Sequence, residues 1–324
     1  MTVNIDELIA EFGAHYRDGG QGMKDLQVKL RHRSVTPSLF AYQPTSDTIL
    51  YKATTSIKRV IQSFQKQFTP ISGGELKFEL ESIPLNHIKI DESIWPDDVA
   101  PSWAGFLAGI DELDRSKWPL CRWLIEQHIL PQADEDLELL EYFKGEAVIP
   151  TEGTAGAAGK SLNGVRIKIR NGYAAGKTQA ITMGAMPTDP VLLVEYVEDF
   201  INQVPTLVRR NIKTISLSET KELAFRIGMD TKYNDKYDRK PNLSTLKYHP
   251  ITVVGVPSQE GSDLLYVSPE FNKVHAKRGA GNKGKFDIQK DGRNVKLLSD
   301  WWEGLGFWYL PYVYHNDQDL VATP

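Results

Sequence analysis

The sequence predicts an α+β chain, on three observations. Between residues 165 and 268 the predicted order is strand, helix, strand, helix, strand, strand, without the regular alternation of a doubly wound parallel sheet. The stretch Phe286–Tyr314 sets strand-like runs around Trp301, Trp302, Phe307, Trp308, Tyr309, Tyr312 and Tyr314. Aromatic side chains bury about 150–250 Å² each, so this block belongs in a core or against a neighbouring subunit. Long glycine- and proline-marked stretches lie outside both regions and supply few periodic apolar positions.

Taken in order, residues 1–50 open with a short helical stripe, Leu8, Ile9 and Phe12, capped by Asn4 or Thr2. Gly19, Gly20 and Gly22 break it, and Lys24, Lys29, Arg31, His32 and Arg33 follow as a basic run, which makes this segment an arm. In 51–68, Ile57, Val60, Ile61, Phe64 and Phe68 fall at helical spacing. From Glu75 the pattern alternates (Leu76, Phe78, Leu80), which predicts strand. Pro84, Pro96 and Pro101 argue for a projecting hairpin or loop over about 75–97.

The strongest helical region is 102–146. Ser116 or Asp114 is its candidate cap, Pro119 falls near the first turn, Pro131 interrupts or restarts it, and Gly145 stops it. Residues 164–172, GVRIKIRNG, alternate Val165, Ile167 and Ile169 with Arg166, Lys168 and Arg170, which predicts a short strand. The clearest helix is 188–205, capped by Thr188 or Asp189, with Leu192, Val194, Val197, Ile201 and Val204 on its buried side. KTISLS is a strand, SETKELAFRIGM a helix capped by Ser218, ITVVGVP and DLLYVSP strands, and 272–285 a basic glycine-rich loop. Trp302 and Phe307 straddle Gly304 and Gly306, which suggests a tight turn.

The 324 residues suffice for two domains, and 41% hydrophobic with 25% charged residues is ordinary globular composition. A net charge of -4 does not suggest a nucleic-acid binder whose whole surface is basic. The lone Cys121 excludes an internal disulfide and a CxxC site. With no secretory signal or membrane-length apolar run, the chain reads as cytosolic, and its start at Met1 as a product with little to remove.

No catalytic, cofactor-binding or metal-binding residues are assigned. GTAGAAGKS (153–161) and NGYAAGKT (171–178) end like phosphate loops, but Thr154 and Asn171 stand where the first glycine is required. The seven histidines show no metal-ligand spacing and no HExxH, and His128 reads as a partly buried helix residue. Ser216 and Ser218 lack a nucleophile elbow. Asp97, Asp98, Asp134, Asp136, Glu138 and Glu141 read as solvated faces, although a carboxylate pair for glycoside hydrolysis would look the same in sequence. The basic runs Lys24–Arg33 and Lys273–Lys285 suit phosphate contacts or ion pairs with a neighbour's acidic 91–146 region.

By segment order and texture the chain resembles a tailed-bacteriophage major capsid protein of the HK97-like fold. Ile251–Tyr314 carries most of the likeness: ITVVGVPSQEGSDLLYVSPEFNKVHAKRG resembles the return from an axial domain, and KFDIQKDGRNVKLLSDWWEGLGFWYLPYVY the closing strands of a peripheral domain. VLLVEYVEDFINQVPTLVRR resembles an axial-domain helix, and KWPLCRWLIEQHILPQADEDLELLEYFKGE the long spine helix.

The resemblance implies an N-terminal arm over 1–50. It implies a first part of the peripheral domain over 51–185, with the extended loop at about 75–97 and the spine helix at about 116–144. An axial domain follows over 186–270, and the closing peripheral strands over 271–324. It implies a structural, non-enzymatic major capsid protein of a bacteriophage or prophage, without cofactor. Such a protein self-assembles through hexamers and pentamers into an icosahedral shell around double-stranded DNA, held by non-specific contact. Its partners would be a separate scaffolding protein and a portal, with no membrane, and its place the virion, after assembly in the bacterial host cytoplasm. About 50 residues before the first convincing core helix is short for a built-in scaffolding segment, and no residues match a self-crosslinking set. The alternatives are an encapsulin-like cellular compartment shell and an α+β hydrolase using carboxylates.

Overall fold

The computed structural model describes residues 34–56, 61–69, 71, 77–109, 115, 119–233, 243–279 and 286–316. The expected arm before residue 34, the candidate caps Asp114 and Ser116, and the loop 280–285 lie outside the described residues.

The hub is β11 (Asn294–Phe307), the longest described strand. Its odd-numbered positions Val295, Leu297, Ser299, Trp301, Glu303, Leu305 and Phe307 are all buried, so the period-2 rule for strands holds along its length. The first half pairs antiparallel with β10 (Asp287–Asp291) on one side and with β4 (Asn86–Ile94) on the other. Its last five residues pair with β9 (Lys273–Arg278), Glu303 opposite Lys277. β1 (Ala41–Thr45) runs parallel to β9, Tyr42 opposite His275, and completes a five-stranded sheet.

Gly304 and Gly306 are strand residues and not the expected turn. A Cβ on Gly304 would stand 2.9 Å from the Pro84 carbonyl oxygen, and one on Gly306 2.9 Å from Ile83 Cγ2. The glycines are there because the backbone of Pro84 and Leu85 and the side chain of Ile83 cross this face too closely for side chains.

β2 (Ile49–Ser56) and β3 (Lys77–Pro84) form a separate two-stranded antiparallel ribbon, Ile49 opposite Pro84 and Ser56 opposite Lys77. Among the described residues of 51–68 the expected helix is absent: 51–56 is strand, and 61–69 has no regular structure. Thr54 and Thr55 favour strand locally, and β3 completes the pairing, which outweighs the helical spacing of the apolar residues. The alternating segment 75–97 therefore divides. β3 lies in the ribbon, β4 in the five-stranded sheet, and Pro96–Ala108 forms helix α1.

Residues 120–141 form one continuous helix, α2, which Pro131 does not interrupt. The chain widens to a π-turn over Ile125–Ile129, with the Leu130 N–H donating to the Ile125 carbonyl. Such a turn accommodates the proline ring and its missing N–H. A second wide turn over Leu137–Glu141 ends with the Tyr142 N–H on the Leu137 carbonyl at 2.8 Å.

The strand expected over 164–172 is a helix, α3 (Val165–Ala174). Val165, Ile169 and Gly172 are buried and lie four and three residues apart, so helical spacing was present alongside the alternation and packing selected it. α4 (Pro190–Gln203) is capped by Asp189, whose Oδ1 accepts the Val191 and Leu192 N–H groups at 2.9 and 3.0 Å. Leu193 faces the core there, and Leu192, expected inside, is 52% exposed. After a short turn α5 (Thr206–Arg209), β6 (Thr214–Leu217) runs parallel to β7 (Thr252–Gly255), with α6 (Glu219–Tyr233) between them in sequence. β12 (Tyr314–Asn316) sits between β5 (Gln179–Ile181) and β8 (Tyr266–Val267).

The cores interleave in sequence. One cluster unites Val194, Phe200, Ile215, Phe225, Val253 and Leu265. A second draws Phe40, Ile88, Phe143, Ile169, Tyr266, Trp301 and Phe307 together from across the chain. A third packs Leu120, Trp123 and Ile125 of α2 on Val295 and Leu297. The halves 1–150 and 151–324 are thus not independent globules.

Candidate functional site

The sheet buries a charge cluster centred on Glu303. The strand period places Glu303 among the apolar in-facing residues of β11, and the cross-strand register sets Lys277 opposite it with His275 on the diagonal. Glu303 is fully buried, and both oxygens are filled. Oε1 accepts from the Tyr142 hydroxyl at 2.9 Å and pairs with His275 Nε2 at 2.5 Å, while Oε2 takes Trp301 Nε1–H at 2.7 Å and Lys277 Nζ at 3.0 Å. Burial alone would raise the Glu303 carboxyl, but Lys277 and His275 hold it well below the usual carboxylate range. Burial, with Glu303 adding, pushes the Tyr142 phenol upward. The arrangement is an ion-pair network that saturates Glu303 and fixes the sheet to the end of α2.

Half of the expected 272–285 loop is thus the buried strand β9, with Lys273 4% and Lys277 6% exposed. Lys273 Nζ is held by Glu270 at 3.2 Å and Thr214 Oγ1 at 3.1 Å. The even-numbered Val274 and Ala276 pack with Ile83 and Leu85 on the opposite face.

Of the acidic residues of α2 expected to be solvated, Asp136 is exposed, but Asp134, Glu138 and Glu141 are buried and grip other parts of the chain. Asp134 accepts a hydrogen bond from Ser34 Oγ. Glu138 Oε1 accepts from Thr36 Oγ1 at 2.7 Å, and its carboxylate from the Thr36 N–H at 3.1–3.2 Å. Thr36 Oγ1 also meets Ser258 Oγ at 2.8 Å. Glu141 Oε2 takes the Ser161 and Leu162 N–H groups at 3.0 Å each. Burial raises the Glu138 carboxyl despite the Thr36 hydrogen bonds, and the nearby Asp134 adds to the rise.

The two loops that end like phosphate loops form no phosphate cradle. Lys160 pairs with Glu146 at 3.2 Å and Lys177 with Glu81 at 2.7 Å. α3 precedes Gly176-Lys177-Thr178, so no helix N-terminus faces the loop. No group of three or more His, Cys, Asp or Glu among the described residues could hold a metal ion. Cys121 is buried. His128 is exposed, edge-on to Trp123 at 4.6 Å. Ser216 is buried and accepts a hydrogen bond from Gln259 Nε2 at 2.7 Å. Of the paired tryptophans, Trp301 is the buried one, and Trp302 stacks on His87 with ring centroids 4.5 Å apart. No described helix is long and apolar enough to cross a membrane.

Beyond the β2–β3 ribbon the chain exposes large apolar residues: Ile61 is 81% exposed, and Phe64 and Phe68 are each 92% exposed. Leu80 and Tyr51 on the ribbon are also exposed. Large apolar side chains left bare over one stretch of sequence mark a contact surface.

No protein-family model matches the sequence, and no curated protein matches it. Solved structures do. A chain of the satellite phage P4 procapsid that includes the size determination (Sid) protein is 12% identical, with TM-score 0.55, over 91% of this chain and 90% of that one. A chain of the capsid of the native GTA particle, computed with C5 symmetry, is 11% identical with TM-score 0.55, over 87% and 90%. A chain of the capsid of Myoviridae phage XM1 is 12% identical with TM-score 0.52, over 86% and 89%. The likeness is one of fold and runs nearly end to end in both members of each pair.

Proposed function

We propose that this chain is a structural shell protein, a bacteriophage major capsid protein of the HK97-like type. The carrying observation is the exposure of Ile61, Phe64 and Phe68 in the segment between the two strands of the ribbon. A monomer gains nothing from holding such residues in water. A subunit of a closed assembly covers them with each neighbour, and symmetry repeats the contact. The fold shared with capsid chains supports the same reading.

On this reading the β2–β3 ribbon and the residues between its strands are the extended loop, displaced toward the N-terminus from the 75–97 expected. α2 is the spine helix. The core of Val194, Phe200, Ile215 and Val253 is the axial domain, about 186–270. The five-stranded sheet belongs to the peripheral domain, assembled from 51–185 and 271–324 and joined by residues 34–45 of the arm. Hexamers and pentamers of the chain form a shell around double-stranded DNA, with a separate scaffolding protein and a portal, in the bacterial cytoplasm. The protein performs no catalysis.

Sedimentation of a Phe64→Ser/Phe68→Ser variant tests this. The expected result is soluble subunits or capsomers with wild-type far-ultraviolet dichroism and no particles. Particles formed in wild-type yield would overturn the role given to the ribbon.

A further inference from the structure

A cleft of about 230 Å³ opens over the sheet face that carries Glu303, lined by Pro37, Phe40, Tyr42, Tyr142, His275 and Lys277, with Ser38 at its edge. We infer that it is a binding site for a small aromatic carboxylate. The inference stands on this cleft alone and does not require the shell reading.

The walls are rings. Tyr42 and Tyr142 both lie edge-on to His275, at 6.0 and 6.3 Å between centroids, and Phe40 and Pro37 close the apolar side. The volume is below the roughly 300–1,000 Å³ of drug-sized pockets, which limits the occupant to about one ring with a short polar end. A flat apolar body suits walls of this kind.

The floor is cationic. Lys277 has three N–H donors and, among the described residues, one partner, Glu303 Oε2 at 3.0 Å. Its side chain is only 8% exposed, so bulk water does not freely satisfy the others. A buried ammonium with open donors calls for an acceptor, and a charged acceptor gives the stronger bond. The cluster's own carboxylate cannot serve twice. Glu303 lies beneath, each oxygen already taken by two donors, and none of the described residues lining the cleft carries a carboxylate. A cation would meet Lys277 head on. Inorganic phosphate would leave the aromatic walls uncovered.

The experiment titrates purified full-length protein with benzoate, with benzamide, its neutral counterpart of the same shape, and with inorganic phosphate, followed by saturation-transfer NMR for the organic probes and calorimetry for all three. Benzoate should saturate with a dissociation constant on the order of 1 mM, as expected for so small a ligand. Benzamide should bind about tenfold or more weakly, because its neutral carbonyl accepts from the ammonium more weakly than a carboxylate does. Lys277→Met should abolish the preference, and Tyr42→Ala should weaken both organic probes. The benzoate–benzamide comparison uses wild-type protein and survives any misfolding of the Lys277 variant. Equal binding of benzoate and benzamide, phosphate binding as tight as benzoate, or no saturable benzoate binding would each overturn the inference.

Discussion

Replacing Glu303 with leucine removes the acceptor for four donors at once: Tyr142 Oη, His275 Nε2, Trp301 Nε1 and Lys277 Nζ. Leucine is similar in size, so cavity formation contributes little, and the cost is electrostatic. Breaking a buried ion pair by deleting one partner costs about 3–5 kcal/mol. Leaving the neutral hydroxyl and indole donors without an acceptor adds roughly 1–3 kcal/mol each, but these terms share one network and do not sum. A loss of about 5 kcal/mol is expected, a large part of the roughly 5–15 kcal/mol that stabilises a typical domain.

Urea unfolding of unassembled subunits, followed by tryptophan fluorescence, measures the loss. The double variant Glu303→Leu/Lys277→Met should recover at least half of it, because both buried charges are then gone. The pH dependence carries a second signature. A carboxyl held low in the folded state contributes stability above its unfolded value, about 4.3, and loses it only as pH falls through the lower folded value. The wild-type advantage over Glu303→Leu should therefore persist at neutral pH and disappear in strong acid. A single-variant loss below about 1 kcal/mol, within the range of ordinary surface changes, would refute the reasoning, as would a double variant no better than the single.

Other outcomes follow from the same structure. Burial raises the folded pKa of Glu138, so its contribution to stability is full below the unfolded value of about 4.3 and is lost as pH rises through the folded value. Glu138→Gln should flatten that slope in urea unfolding followed across pH. Trp301→Ala should cost about 3–5 kcal/mol in thermal or urea unfolding. Trp302→Ala should cost clearly less, since Trp302 is only partly buried against His87. Gly228→Ala should destabilise by about 1–3 kcal/mol despite the better helix propensity of alanine, because the new Cβ would fall 2.0 Å from the Pro190 carbonyl oxygen where α6 crosses α4.

The elements with caps were legible in the sequence. Asp189 followed by Pro190, and Ser218 before an acidic first turn, mark real helix starts. Segments whose conformation depends on distant partners were not. Val165, Ile167 and Ile169 satisfy strand and helix patterns alike, and the packing of Gly164 and α3 against the end of α2 decides between them. Thr54 and Thr55 become strand because β3 lies beside them. Of the aromatic block, expected in a core or against a neighbour, Trp301 and Phe307 are buried and Trp302, Trp308, Tyr309, Tyr312 and Tyr314 only partly so, while Gly304 and Gly306 look like a turn until the crossing of residues 83–85 is known.

Glu303 was overlooked, although one signal was available. It stands in register with Val295, Leu297, Trp301 and Leu305, where an alternating strand puts only buried residues. A carboxylate at such a position requires buried cations. His275 and Lys277, spaced two apart in KVHAKR, are the matching set, which basic composition alone suggested was a loop.

The central claim is that this chain builds a closed shell from repeated contacts of one subunit. Electron microscopy of the purified full-length protein in buffer of physiological ionic strength tests it most directly. The account predicts uniform hollow particles, or free hexamers and pentamers, with the β2–β3 ribbon lying on an adjacent subunit. A monodisperse monomer at all concentrations, with Phe64 and Phe68 open to solvent, would contradict it.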